Sequence, residues 1–239
     1  MLNIPSARLT VPRAAAGEIV RKNLIDTVLN SPAKLVYIHA GAGHGKTTLL
    51  SQVANSAENV VWLSLDGEND IFTFVNTLCE AIKQTFPEFD FSASEYLPFS
   101  EKNNFISMLA GALICSIENI SGDFIAVMDD LHTIEEDEVK KLIACLIKYL
   151  PNNTKLCFGS REAPWQDFLS FKVTGNVTEL TQKELAFTRE EIADILGFDD
   201  PAIYGSTEGW PLAIRSFQVL LENGISIGDI TSYGNETLY

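Results

Sequence analysis

Positive charge is scarce in this sequence: 17 lysines and arginines stand against 32 aspartates and glutamates, a formal net charge of −15. A surface so acidic repels phosphate backbones at long range, which argues against general nucleic-acid binding by this chain alone. A nucleotide pocket is not excluded, because such a site needs only a few basic groups. No apolar run approaches the roughly 18–20 residues that cross a membrane. The N-terminal residues MLNIP carry neither the basic segment nor the apolar stretch of a signal peptide. The expected setting is the cytoplasm, with no membrane partner. The four cysteines, Cys79, Cys115, Cys145 and Cys157, are never closer than 12 residues, a spacing that fits neither zinc nor a redox pair and predicts buried, reduced thiols. His39, His44 and His132 show no HxH or HxxxH spacing, so metal held directly by these side chains is not expected.

What is present fits a globular chain: 46% hydrophobic and 21% charged residues over 239 positions, enough for one large domain or a core domain with a small companion. Lys34 to Ala40 (KLVYIHA) is a β-rich apolar run that flows into a glycine-rich stretch. Thr47 to Ala57 then suits a helix, with Leu49, Leu50, Val53 and Ala54 as its apolar face. Val60–Leu65, Phe124–Met128 and Lys155–Ser160 read as further strands, and Val177–Leu180 as a weaker fifth. Between them, Phe72–Phe86, a segment from Phe105, and a segment after Thr133 have helical spacing. Thr133 with Glu136 predicts a capping box for the last of these. Pro87–Asn104 breaks the pattern and predicts a loop or irregular insert. Strands alternating with helices predict a mainly parallel sheet wrapped by helices. From about residue 187 the pattern is helical only, with a capping box at Thr188 and Glu191 and Pro211 at a first helical position. The expected division is therefore 1–186 for the sheet domain and 187–224 for a small helical subdomain. Residues 225–239 are expected to begin a further, truncated domain.

Residues Ala40, Gly41, Ala42, Gly43, His44, Gly45, Lys46 and Thr47 match the phosphate-binding loop, with alanine replacing its first glycine. Glycines let successive backbone N–H groups turn toward phosphate oxygens, and the following helix adds its positive end. Lys46 can reach the β and γ phosphates, and the Thr47 hydroxyl can ligate Mg²⁺. A glycine-rich turn with an incidental lysine is the competing explanation, and the strand-to-helix context disfavours it. About 80 residues on, the apolar strand FIAVM ends in Asp129 and Asp130. Asp129 is the candidate to hold Mg²⁺ through water, and Asp130 to orient or deprotonate an attacking water. Paired aspartates also serve as caps and turns; their position after the loop motif favours the chemical role. Arg161, just past the fourth strand, is a candidate γ-phosphate sensor. The acidic run Glu135–Glu138 is read as a helix start favoured by the dipole.

Six segments in order, AGAGHGKTT (40–48), VWLSLD (61–66), DDLH (129–132), SREAP (160–164), ELAFT (184–188) and TEGWP (207–211), resemble the nucleotide-binding module of MalT-like, LuxR-type transcriptional activators, within the STAND class of signal-transduction ATPases. The likeness covers roughly residues 5–225. It implies a P-loop NTPase fold, α/β with a five-stranded mainly parallel sheet, followed by the helical subdomain. It also implies ATP or ADP with Mg²⁺ as cofactors, held by the loop through Thr48. Val20 and Arg21 would help form the adenine site, and Pro211 would lie near the base. The implied behaviour is a switch with slow hydrolysis: ADP holds a resting monomer, while ATP and an inducer favour self-association. Sensor and DNA-binding parts would lie beyond this chain. Gly41 and His44 depart from the proline and tyrosine frequent in the family.

Two other functions compete. A catalytic P-loop kinase would need an acceptor pocket and an arginine-rich lid, and residues 187–224 offer only Arg189 and Arg215. A nucleotide switch of a defence protein in the same ATPase class is the other; the DDLH and EGWP segments favour the transcriptional branch.

Overall fold

The computed structural model describes residues 4–224 except 16, 68 and 69. Segment 225–239, expected to begin a further domain, lies outside the described residues. The described residues form two compact units, one up to residue 40 and over 46–180, the other of residues 41–45 and from 181 on.

The first unit is built on strands β1 (Leu35–His39), β2 (Val60–Ser64), β3 (Phe124–Asp129), β4 (Thr154–Ser160) and β5 (Val177–Thr181). They form one parallel sheet in the order β2-β3-β4-β1-β5, as the alternating pattern predicted. Leu35, Val36, Tyr37 and Ile38 are all buried. Such unbroken apolar runs are what a sheet covered on both faces requires. On one face Leu35, Tyr37, Leu63 and Phe158 join a core completed by helices α3 (Ile71–Thr85), α4 (Phe105–Glu118) and α5 (Asp137–Lys148). The opposite face is covered by α2 (Lys46–Asn55), which packs on β3 and β4 and against α1 (Lys22–Leu29). A short α6 (Leu169–Val173) leads into β5. β1 lies between β4 and β5, whereas the next strand in sequence, β2, is at the sheet's edge. The carboxyl end of β1 is therefore a topological switch point, the place where open α/β sheets bind ligands.

Three local expectations change. Thr133 and Glu136 do not form a capping box. Asp130 adopts the left-handed conformation (φ 58°), a 3-10 turn follows at Leu131–Thr133, and the Thr133 hydroxyl donates to the Asp130 carbonyl at 2.9 Å. With Thr133 spent on that turn, α5 starts only at Asp137, with Glu136 as its N-cap and no side-chain cap bond. The insert at 87–104 is not purely irregular: it holds a 3-10 segment, Ala93–Phe99, and buries Phe89 and Ala93 in the core. Cys79 and Cys157 are buried, with burial pushing their thiols up to about 12, but Cys115 is exposed. It sits on the outer side of α4, where an apolar residue type is not needed for packing.

The second unit joins loop residues 41–45 to helices α7 (Gln182–Leu185), α8 (Arg189–Leu196), α9 (Pro201–Thr207) and α10 (Pro211–Glu222). Capping boxes open α7 at Thr181/Glu184 and α8 at Thr188/Glu191, and Pro211 is the first residue of α10. Gly209 links α9 to α10 at φ 77°, and its carbonyl accepts from the Phe187 N–H at 2.8 Å. A Cβ there would stand 2.2 Å from the Phe187 carbonyl oxygen. That neighbour is backbone, so it cannot rotate away. Gly209→Ala is expected to cost more than about 1 kcal/mol, read as a lowered unfolding temperature; an unchanged one would contradict this packing.

Candidate functional site

β1 ends at His39, and the chain turns through residues 40–45 into α2, whose first residue is Lys46. Gly43 and Gly45 have φ of 74° and 78°, a conformation that L side chains rarely adopt. Nothing lies within 4 Å of where a Gly45 Cβ would be, so backbone geometry, not crowding, calls for glycine there. The alternation of such residues turns successive N–H groups into an anion-binding concavity.

Lys46 is 7% exposed, and its ammonium donates to the Ala40 carbonyl at 2.9 Å, spanning the two ends of the loop. Burial pulls its pKa down, Asp129 and Asp130 act against this, and the Arg161 charge adds to it. Arg161 is thus near enough to Lys46 to be felt, although its own side chain is exposed. Thr47, one residue on, donates from its hydroxyl to Asp129 Oδ2 at 2.6 Å. Thr48 follows, half-buried on the same helix turn.

Asp129 is the last residue of β3 and only 2% exposed. Its other oxygen, Oδ1, accepts the Asp130 N–H at 3.0 Å. Burial raises its pKa, against the lowering influence of the Thr47 hydroxyl. Asp130 is half-buried, its carboxylate 3.8 Å from His132 Nδ1. That nitrogen is buried without a hydrogen-bond partner. Lys46, Thr47, Asp129, Asp130 and Arg161 are therefore gathered at the carboxyl edge of the sheet, in one unit.

Two of the expected adenine-site residues stand in the segment before α1. Val20 is 67% exposed. Arg21 precedes α1, and its N–H donates to Gln52 Oε1 at 2.9 Å. Gln52, buried on α2, also donates to Glu18 Oε1 and the Ile19 carbonyl, each at 2.8 Å. Residues 18–21 are thus anchored to the helix that follows the loop. Pro211 belongs to the second unit.

Sequence reasoning passed over Gln52, whose single amide carries no motif, and also Gly159. On β4, Gly159 leaves the space that the Asp129 carboxylate occupies: an added Cβ would lie 2.3 Å from Asp129 Oδ1 and 2.7 Å from Leu50 Cδ1. The glycine within an apolar strand was a signal of close approach. Gly159→Ala is expected to displace the carboxylate and cost about 1–3 kcal/mol by overpacking. Chemical denaturation measures the cost, and a variant as stable as the parent would refute the fit.

No family model matches the sequence. The chain is 31% identical over 227 residues to the HTH-type transcriptional regulator MalT of Vibrio campbellii and 32% identical to that of Vibrio parahaemolyticus, covering 89% of this chain. The MalT of Vibrio cholerae is 29% identical over 225 residues, with the same coverage. The chain is MalT-like. It spans about a quarter of the length of these relatives, 24%. Among solved structures, a STAND protein with a tetratricopeptide repeat sensor from Pyrococcus horikoshii superposes with TM-score 0.61 at 20% identity, over 87% of this chain and 30% of that one. A Walker-type ATPase of Pyrococcus abyssi gives 0.54 at 17% identity, over 91% and 71%. These likenesses establish the P-loop fold of the MalT-like chain, as its six ordered segments implied. Among the described residues, no helix is long and apolar enough to cross a membrane.

Proposed function

We propose that this MalT-like chain binds ADP or ATP with Mg²⁺ at residues 40–48 and serves as the nucleotide-dependent switch of a transcriptional regulator. The observation that carries the reading is a buried lysine and a buried aspartate at the carboxyl edge of the sheet, at the start of the helix that follows a phosphate-type loop in sequence, with the Thr47 hydroxyl bonded to the carboxylate. Lys46 and Asp129 are both desolvated, and a buried charge is costly unless a partner compensates it. A phosphate chain would compensate the ammonium, and a divalent cation the carboxylate. The residues fit such a pair. Thr47 and Asp129 offer oxygens of the kind Mg²⁺ takes, and Mg²⁺ needs only one or two protein ligands besides phosphate and water. That Mg²⁺ screens phosphate charge is the chemistry it would supply.

In this reading Lys46 would bind the β and γ phosphates, the Thr47 hydroxyl would ligate Mg²⁺, and Asp129 would hold the cation through water. Asp130 positions the attacking water, and Arg161 senses the terminal phosphate. Val20, Arg21 and Pro211 serve the adenine end. The sheet domain would end near 186 and the helical subdomain near 224. Slow hydrolysis, self-association in the ATP state, an inducer acting through a sensor, and DNA contacts belong to the whole regulator that the relatives suggest.

Asp130→Asn tests the division of labour. Asparagine tolerates the left-handed backbone at this position, so the fold is kept while the base is removed. Nucleotide affinity is expected to stay within about twofold, and single-turnover hydrolysis to fall by about 10²–10⁴-fold. Equal loss of both would show that Asp130 binds nucleotide instead.

A further inference from the structure

The loop's carbonyls are as informative as its N–H groups. Trp210 Nε1 donates to the Ala42 carbonyl at 3.3 Å. The N–H of Leu212, in the first turn of α10, donates to the Gly43 carbonyl at 3.1 Å. The His44 ring places Nδ1 3.2 Å from the carbonyls of both Gly41 and Ala42, and it lies against Trp210 with ring centroids 6.2 Å apart. Three consecutive peptide planes thus have their carbonyls engaged. In a trans peptide the C=O and N–H point in opposite directions, and no peptide bond among the described residues is cis. Fixing the carbonyls of Gly41, Ala42 and Gly43 therefore turns the N–H groups of Ala42, Gly43 and His44 the other way. Those are the donors of the nest.

Gly43 permits this grip. A Cβ there would stand 2.8 Å from both Cβ and Cδ2 of Leu212 and 3.1 Å from Trp210 Nε1. The contact at the start of α10 thus needs glycine at 43 for space as well as for φ.

We infer that Trp210 is a positioning residue for the phosphate nest: its indole N–H, with the Leu212 N–H, holds the loop peptides in the anion-receiving orientation before any phosphate arrives. This role rests on the nucleotide reading above and adds to it a task distinct from contact with the base. The nest is pre-organised by α10, so the ordering cost is met on folding and not on binding. By linkage, an anion seated in the loop strengthens the hold on α10 to the same degree.

Trp210→Phe removes the N–H and keeps an aromatic ring. Two affinities are measured on the whole chain, for Mg²⁺–ADP and, by displacement of a fluorescent ADP analogue, for inorganic pyrophosphate. Thermal unfolding of the ligand-free protein is followed alongside. Loss of one hydrogen bond predicts that both affinities fall by a similar factor, about fivefold. The unfolding temperature of the ligand-free protein separates a loosened nest from general loss of packing. The fall in both affinities is expected at a nearly unchanged unfolding temperature, and a fall matched by a clearly lowered one would overturn the role. A lost base contact would shift the ratio of the two affinities. A fall for ADP but not for pyrophosphate would overturn the role, because Trp210 would then act on the base. Unchanged affinity for both would overturn it as well. Should the parent bind neither, the nucleotide reading itself falls, and this role with it.

Discussion

Lys46→Met is expected to weaken Mg²⁺–ADP binding by about a hundredfold while leaving the ligand-free protein as stable as the parent or more so. Methionine keeps the buried stem and removes the charge. A charge-assisted hydrogen bond to phosphate is worth about 1.5–3 kcal/mol, and the lost Coulomb attraction adds to it. The stability effect follows from the direction of the pKa. The folded-state pKa of Lys46 lies below its ordinary 10.5, with burial the largest cause. A group shifted down contributes stability above its unfolded pKa and loses it as pH falls through the folded pKa. Near neutral pH the protonated lysine is therefore a cost in the absence of an anion. Calorimetric titration and thermal unfolding together test this. Intact affinity would remove Lys46 from the site, and a large loss of stability would make it a structural residue.

Asp129→Asn carries the opposite charge through the same reasoning. The folded-state pKa of Asp129 is raised from 3.8, chiefly by burial. Its contribution to stability is full below that value and is lost as pH rises through the folded pKa. At neutral pH the ionised carboxylate weakens the ligand-free protein. Asparagine can still accept the Asp130 N–H and can donate to the Thr47 hydroxyl, so the variant is expected to unfold at a higher temperature than the parent near pH 7. The difference should shrink toward pH 4, where the parent's carboxyl takes up its proton. The same substitution should reduce the gain in ADP affinity on adding Mg²⁺ by tenfold or more, about 1.4 kcal/mol. A variant less stable at pH 7, with its Mg²⁺ dependence intact, would show that Asp129 is a structural hydrogen-bonding group and nothing more.

Each of these side chains was legible in the sequence because its surroundings are local. A strand, a glycine turn and a helix start place Lys46 and Thr47, and the end of an apolar strand places Asp129. The five strands were legible for a related reason: a sheet covered on both faces demands apolar runs that few other elements need. α1 was recognised only as a family segment, although Leu24, Ile25, Val28 and Leu29 repeat at helical spacing. The failed capping box at Thr133 shows the limit of local rules, since the turn that consumes its hydroxyl depends on the left-handed Asp130. Gly159 and Trp210 were harder still. Gly159 matters because of a carboxylate on the neighbouring strand, and Trp210 because of a carbonyl 168 residues away in sequence. Such roles exist only once the fold has brought the partners together.

Nucleotide-dependent thermal unfolding shows at once whether the loop binds an adenine nucleotide. The parent chain, freed of co-purified nucleotide, is compared with Lys46→Met, each with Mg²⁺ plus ADP, ATP, GTP or no nucleotide. A ligand at 100 times its dissociation constant adds about 2.7 kcal/mol to native stability, a shift of about 5–10 °C for a chain of this size. That rise is expected with ADP and ATP, a smaller one with GTP, and only about 1 °C in the variant, whose hundredfold weaker binding leaves it half-saturated. A parent chain whose unfolding temperature does not move with any nucleotide would contradict the nucleotide reading.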